Sequence, residues 1–209
     1  MHGTGNKIVI TMINFINLDK GQPYKLFHKK YKDALKESQK SIEAISICSF
    51  DSIQHEVNSR YVNLKIVNGK EFIFFSNYNS PKAKQFLSHN QVSILIYWNN
   101  INTQIRMKAN IKKTTNEFNQ QYFKKRDQNK NALAISSKQS EVIKSYKAVQ
   151  EKFDITYKNM DLSECPHYWG GFKFTPYYFE FWEGHESRIN KRRVFEKINL
   201  DWKQHILQP

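Results

Sequence analysis

Arg60-Tyr-Val-Asn-Leu-Lys65-Ile-Val-Asn-Gly69-Lys-Glu-Phe-Ile-Phe-Phe-Ser76-Asn77 is the stretch on which the reading of the fold turns. From Arg60 to Val67 the residues alternate, with Val62, Leu64 and Ile66 on one side and Tyr61, Asn63 and Lys65 on the other. A period of two is the signature of a half-buried strand. Asn68-Gly69 is a hairpin turn signal, and Glu71 to Ser76 returns as the partner strand.

Upstream, Tyr24 to Ser41 is amphipathic: Leu26, Phe27, Tyr31, Ala34 and Leu35 recur at helical spacing with lysines between them. Ile42 to Phe50 reads as a strand. Downstream, Ser80-Pro81 suits an N-cap and first helical position, opening a helix to His89. Val92 to Tyr97 is a buried-type strand and Gln104 to Lys113 alternates again. Thr114-x-x-Glu117 is a capping-box pattern opening a helix through Phe118, Tyr122 and Phe123. Ser137 to Ser140 precedes a further helix, Glu141 to Phe153, and Gly171 to Ile206 holds three or four strand-like runs rich in Phe, Tyr and Trp. There is no βαβ repeat and no GxGxxG, which excludes a dinucleotide-binding Rossmann reading. The pattern predicts a mainly β fold with peripheral helices, a small closed barrel. Residues 1–22 read as an N-terminal extension open to disorder, and 23–209 as one domain.

Composition narrows the function classes. The 209 residues carry 33 Lys plus Arg against 19 Asp plus Glu, a formal net charge of +14. With 39% hydrophobic residues, there is material for one core. Seven glycines and five prolines exclude collagen-like and low-complexity architectures. Cys48 and Cys165 make no disulfide framework and no zinc pattern, which points to a reducing, cytoplasmic setting. No apolar run approaches the roughly 20 residues that span a bilayer, so no membrane role is expected. The basic residues are spread over strand and helix patterns without a block of like charge, so nucleic acid is not the expected partner.

Three places concentrate cations with polar donors. In an extended strand, Arg60 and Lys65 face opposite sides, and read as two anion sites or as two solvated cations. Ser76-Asn-Tyr-Asn-Ser80-Pro81-Lys82 joins strand end, turn and helix start, a place for a phosphate or simply a capped surface helix. Ser137-Lys-Gln-Ser140 repeats that logic. Arg188 and Arg192, four apart on one face of an expected strand near Trp182, suit a planar anion by bidentate bonding and stacking, or are exposed strand cations. No catalytic triad, carboxylate pair or metal-ligand spacing stands out among the seven scattered histidines.

Taken together, Arg60-x-Val-x-Leu-Lys65, Phe74-Phe-Ser-Asn77, Ser80-x-Lys82-Ala83, Gln104, Tyr122-Phe-x-x-Arg126, Ser137-Lys-Gln-Ser140, Trp169-Gly-Gly-Phe172, Glu180-Phe-Trp182 and Arg188-Ile-x-x-Arg192 resemble the pyridoxine/pyridoxamine 5'-phosphate oxidase family of FMN-binding split β-barrels. The resemblance runs from about Pro23 to Pro209. It implies FMN held by Arg60, Lys65, Phe75, Ser76, Lys82, Gln104, Gln139, Ser140, Trp182 and Arg192 at a homodimer interface. It implies a phosphorylated vitamin B6 substrate whose phosphate meets Lys65, Tyr122, Arg126 and Lys130, with Arg188 and Asn190 as catalytic residues at the pyridine ring. The implied reaction is oxidation of pyridoxamine or pyridoxine 5'-phosphate to pyridoxal 5'-phosphate with O₂ as acceptor.

The sequence departs from the family pattern, more on the substrate side than on the FMN side. Asn190 stands for a histidine, Pro81 for an FMN-phosphate arginine and Lys130 for a serine. The Arg-Arg-x-Tyr segment is not recognisable in 8–22, and 52–59 lacks the usual glycine and proline. These departures leave open an alternative: a divergent FMN-binding flavoprotein with another substrate, or a binding role for flavin or pyridoxal phosphate.

Overall fold

A computed structural model describes residues 12–209. The chain-order elements are β1 (Asn14–Ile16), α1 (Gln22–Lys36), β2 (Ala44–Asp51), β3 (Glu56–Asn63), β4 (Ile66–Asn68), β5 (Glu71–Asn77), α2 (Pro81–Ser88), β6 (Gln91–Trp98) and β7 (Thr103–Lys113). Then follow α3 (Asn116–Lys124), α4 (Gln128–Ser136), α5 (Tyr146–Asn159), β8 (Trp169–Glu183), β9 (Lys191–Ile198) and β10 (Asp201–Leu207). The strands form one sheet in the order β1-β4-β5-β8-β7-β6-β2-β3, with β9 on the second half of β8 and β10 on β9. The architecture is thus a mainly β split barrel with peripheral helices. The ladder does not close on itself, however, because β1 and β3 end the main path, so the closed barrel expected from the strand count is corrected to an open one.

Strand β8 is the spine. Its first half pairs with β5 (Phe72↔Phe174 to Asn77↔Trp169), its second with β9, and β7 runs along both. The β7–β8 register shifts between Lys108, opposite Tyr178, and Ala109, opposite Pro176. Proline has no N–H for a ladder and is tolerated at such a bulge. The extra residue reverses the inside/outside parity. Phe172 and Phe174 point inward before it and Phe179 and Phe181 after it, all at most 1% exposed. Helix α1 closes one side through Tyr24, Phe27, Tyr31 and Ala34, with Phe27 5.1 Å from Phe72 and 5.7 Å from Trp98, ring to ring.

Local readings are refined where side-chain chemistry competes with pattern. The long alternation breaks at Leu64 and Lys65 because Leu64 N–H turns to the Glu43 carbonyl, separating β3 from β4. The hairpin loop is Gly69-Lys70, with Gly69 at φ +56°, a conformation open to glycine. Thr115, not Thr114, caps α3, accepting from Phe118 N–H at 3.3 Å. Thr114 Oγ1 donates instead to Asn119 Oδ1 (2.6 Å). Ser137–Ser140 follows a helix, α4, rather than opening one, and the helix expected from Glu141 begins at Tyr146 with Ser145 as its cap. Residues 12–22 contribute β1, whose neighbour Ile13 is buried and donates its N–H to Tyr31 Oη (3.0 Å). The rest of the expected extension, residues 1–11, lies outside the described residues.

Candidate functional site

The strand break at Leu64–Lys65 delivers Lys65 to the wall of a cavity of about 850 Å³. Strand β5 supplies Phe75 and Ser76, α2 supplies Lys82, and α3, the turn after it and the start of α4 supply Tyr122, Arg126 and Lys130. Gln139 reaches in from the loop after α4, accepting from Asn77 N–H and Ser76 Oγ at 3.4 Å each. Eight residues expected at the site from sequence are thus brought to one cavity.

Its electrostatics are those of an anion receptor. Lys65, Lys82, Lys125, Arg126 and Lys130 line it against one carboxylate, Asp127. Asp127 is engaged in capping α4 through Lys130 N–H. Lys65 has Glu43 at 3.7 Å, but among the described residues Lys82, Arg126 and Lys130 have no carboxylate partner. Lys82 is 9% exposed, its ammonium reaching, among the described residues, Ser76 Oγ (3.3 Å) and Ser80 Oγ (3.4 Å). Burial, then the neighbouring Arg60 charge, pushes Lys82 down to about 8. Burial likewise lowers Lys65, with Arg126 and Lys130 adding to the fall and Glu43 opposing it. Such a cluster is stabilised by a phosphate that supplies the missing negative charge.

The rigid floor is aromatic. Phe75 stacks on Tyr122 with ring centres 3.7 Å apart and on Trp169 at 5.1 Å, and the Arg126 guanidinium lies 4.9 Å over Trp169. Arg126 Nη1 donates to the Lys130 carbonyl (2.8 Å) and Asn131 Oδ1 (3.1 Å), which fixes the guanidinium at the rim. Below, Asn119 is 2% exposed: besides the Thr114 hydroxyl, it accepts from Gly171 N–H (2.9 Å), and it donates to Tyr78 Oη (3.0 Å). Arg60 stands behind this wall, donating to Ser49 Oγ (2.6 Å), Gln85 Oε1 (3.1 Å) and the Ile47 carbonyl (3.4 Å).

Six expected residues are elsewhere. Gln104, Trp182 and Arg192 form a single row across β7, β8 and β9. Gly171, opposite Phe75, and Trp182, opposite Gln104, are separated by roughly 36 Å of strand at the usual rise. Ser140 is exposed in the loop after α4, with φ +72°. Arg188 and Asn190 sit in the β8–β9 turn. Arg188 has φ +61° and donates its N–H to the His185 carbonyl, so it does not share an extended face with Arg192; a turn, not a strand, occupies 184–190. Asn190 Oδ1 accepts from His185 N–H (3.0 Å). Sequence reasoning missed Asn14 of β1 and Leu133 and Ala134 of α4 as cavity lining. Asp127-x-x-Lys130, a helix-start pattern, was the available signal for α4.

Comparisons with known proteins give the chain a family. The model of the family described as "Pyridoxamine 5'-phosphate oxidase" matches residues 29–157, and that of the "Pyridoxine 5'-phosphate oxidase C-terminal dimerisation region" matches 169–209. The pyridoxine/pyridoxamine 5'-phosphate oxidase of Colwellia psychrerythraea is 33% identical over 189 residues, covering 90% of this chain and 87% of that protein. That of Rhodopirellula baltica is 30% identical over 194 residues, covering 90% and 86%. Among solved structures, PhzG from Burkholderia lata 383, in complex with tetrahydrophenazine-1-carboxylic acid, superposes with a TM-score of 0.83 at 21% identity over 90% of this chain and 92% of that one. A pyridoxamine 5'-phosphate oxidase-related, FMN binding protein from Nostoc punctiforme gives 0.73 at 12% identity, covering 88% and 97%.

Proposed function

Because the chain belongs to the pyridoxamine 5'-phosphate oxidase family, we propose that it binds FMN and oxidises pyridoxamine or pyridoxine 5'-phosphate to pyridoxal 5'-phosphate. The observation that supports this most is the cavity with five cations against one engaged carboxylate. Its donor chemistry fits two phosphate groups. Lys82 and Ser76, with Arg60 behind them, suit the phosphate of FMN, and Gln139 reaches the same wall. Lys65, Tyr122, Arg126 and Lys130 suit the phosphate of the substrate. FMN, when bound, supplies a two-electron acceptor that O₂ returns to its oxidised state. The protein's part is to bind and orient. Grip on the phosphate at one end fixes the reacting carbon at the other. The Phe75–Tyr122–Trp169 stack keeps the wall rigid, and a cation such as Arg192 at the flavin edge favours the anionic reduced ring.

Gln104, Trp182, Arg192, Arg188 and Asn190 then come from the second copy of a homodimer. The match of 169–209 to a dimerisation region supports this arrangement. A flavoprotein acting on a different substrate is a second reading. It is favoured by Asn190, which spends its side-chain oxygen on His185 N–H within its own turn. Purified protein supplied with FMN should turn yellow and form pyridoxal 5'-phosphate from either substrate in an O₂-dependent way. Flavin uptake without that product supports the second reading, and protein that takes up no FMN overturns both.

A further inference from the structure

Glu180 is a buried carboxylate for which the reading above has no use. It lies in the second half of β8, 2% exposed, beside the row of Gln104, Trp182 and Arg192. Both of its oxygens are engaged by cations. Oε1 accepts from Arg192 Nε and Nη2, each at 2.8 Å, a two-pronged grip. Oε2 accepts from Tyr178 Oη at 3.1 Å and has Arg106 Nη1 at 3.3 Å. The carboxylate cannot swing away, because Tyr178 and Arg106 hold it from the other side. Arg192 Nη1 is held in turn by the Gln208 carbonyl at 3.1 Å. A long arginine side chain that would otherwise sample many rotamers is left with one orientation.

We propose that Glu180 is a positioning residue that fixes the Arg192 guanidinium and offsets part of its charge, and thereby sets how far reduction of the bound flavin is favoured. The proposal rests on the reading of Arg192 as a flavin contact. Two arginines share one carboxylate, so the cluster keeps a net positive charge; Glu180 tempers that charge and Arg106 tempers Glu180. Opposing substitutions therefore have opposite signs. Neutralising the carboxylate makes the flavin easier to reduce, and neutralising Arg106 makes it harder.

The test is the midpoint potential and FMN dissociation constant of the wild-type, Glu180→Gln and Arg106→Gln holoproteins, with melting temperatures alongside. Glu180→Gln is expected to favour reduction by about tenfold, ~30 mV for a two-electron couple, and Arg106→Gln to disfavour it. Glu180→Gln that melts earlier but keeps the wild-type potential marks a merely structural ion pair and overturns the proposal. Should Glu180→Gln not fold, an unmoved potential in Arg106→Gln overturns it equally, since that side chain is 45% exposed and its loss leaves the core intact. Wild-type protein that fails to bind FMN overturns this proposal together with the function it rests on. Wild-type protein that binds FMN while both variants keep its potential overturns this proposal alone.

Discussion

Lys82 is where pH meets binding. Burial, then the Arg60 charge, holds its ammonium down at about 8. A bound phosphate raises it again, so binding takes up a proton. Affinity for FMN is accordingly full below about 8 and falls as pH rises past it, which a fluorescence titration against pH reads directly. Lys82→Gln should abolish that dependence and cost about 1.5–3 kcal/mol of binding, the usual worth of a hydrogen bond to a charged group. Arg188→Ala should abolish turnover while FMN stays bound; released flavin would assign Arg188 to the cofactor instead. At this scale the sequence was informative where residue type alone carries the chemistry. Lys65, Phe75, Ser76, Lys82, Tyr122, Arg126, Lys130 and Gln139 all reach one cavity. It was less so where a neighbour redirects a side chain, as with Thr114, drawn from capping α3 to the Asn119 side chain.

Among the elements, β8 and its neighbours make the sharpest demands. Asn119 joins α3 to the β8 and β5 ends through Gly171 and Tyr78. Asn119→Ala leaves Gly171 N–H without its acceptor, while Tyr78 keeps its bond to the Gly171 carbonyl, and urea unfolding should show a loss of roughly 1–3 kcal/mol. Deleting Tyr177 removes the extra residue of the bulge and turns Phe179 and Phe181 outward. That variant should give no cooperative unfolding transition; a normal one would show that the bulge does not set the parity. The strands and α1 could be read from periodicity because their apolar residues face one core. Helix α4 could not, since Gln128-Asn-Lys-Asn131 has no apolar stripe and is held by its Asp127 cap and by Asn131 bonding to the Phe123 and Leu162 carbonyls.

For the whole molecule, the separation of the Lys82 cavity from the Gln104–Trp182–Arg192 row is the main fact. Pattern reading named both groups without showing that one chain keeps them apart, because register along β8 is a long-range property. If two copies complete each other, mixing Lys82→Ala protein with Arg192→Ala protein should restore activity. Random exchange leaves about a quarter of the sites with both residues intact. No recovery after subunit exchange would mean that each chain works alone.

The contact between Arg192 Nη1 and the Gln208 carbonyl has a practical side. It ties a cation next to Trp182 to the backbone at Gln208, so an edit that shifts this stretch of chain is passed to that guanidinium. A deletion or insertion at 207–209 is therefore not a silent edit in this protein, and handles for purification or imaging belong elsewhere.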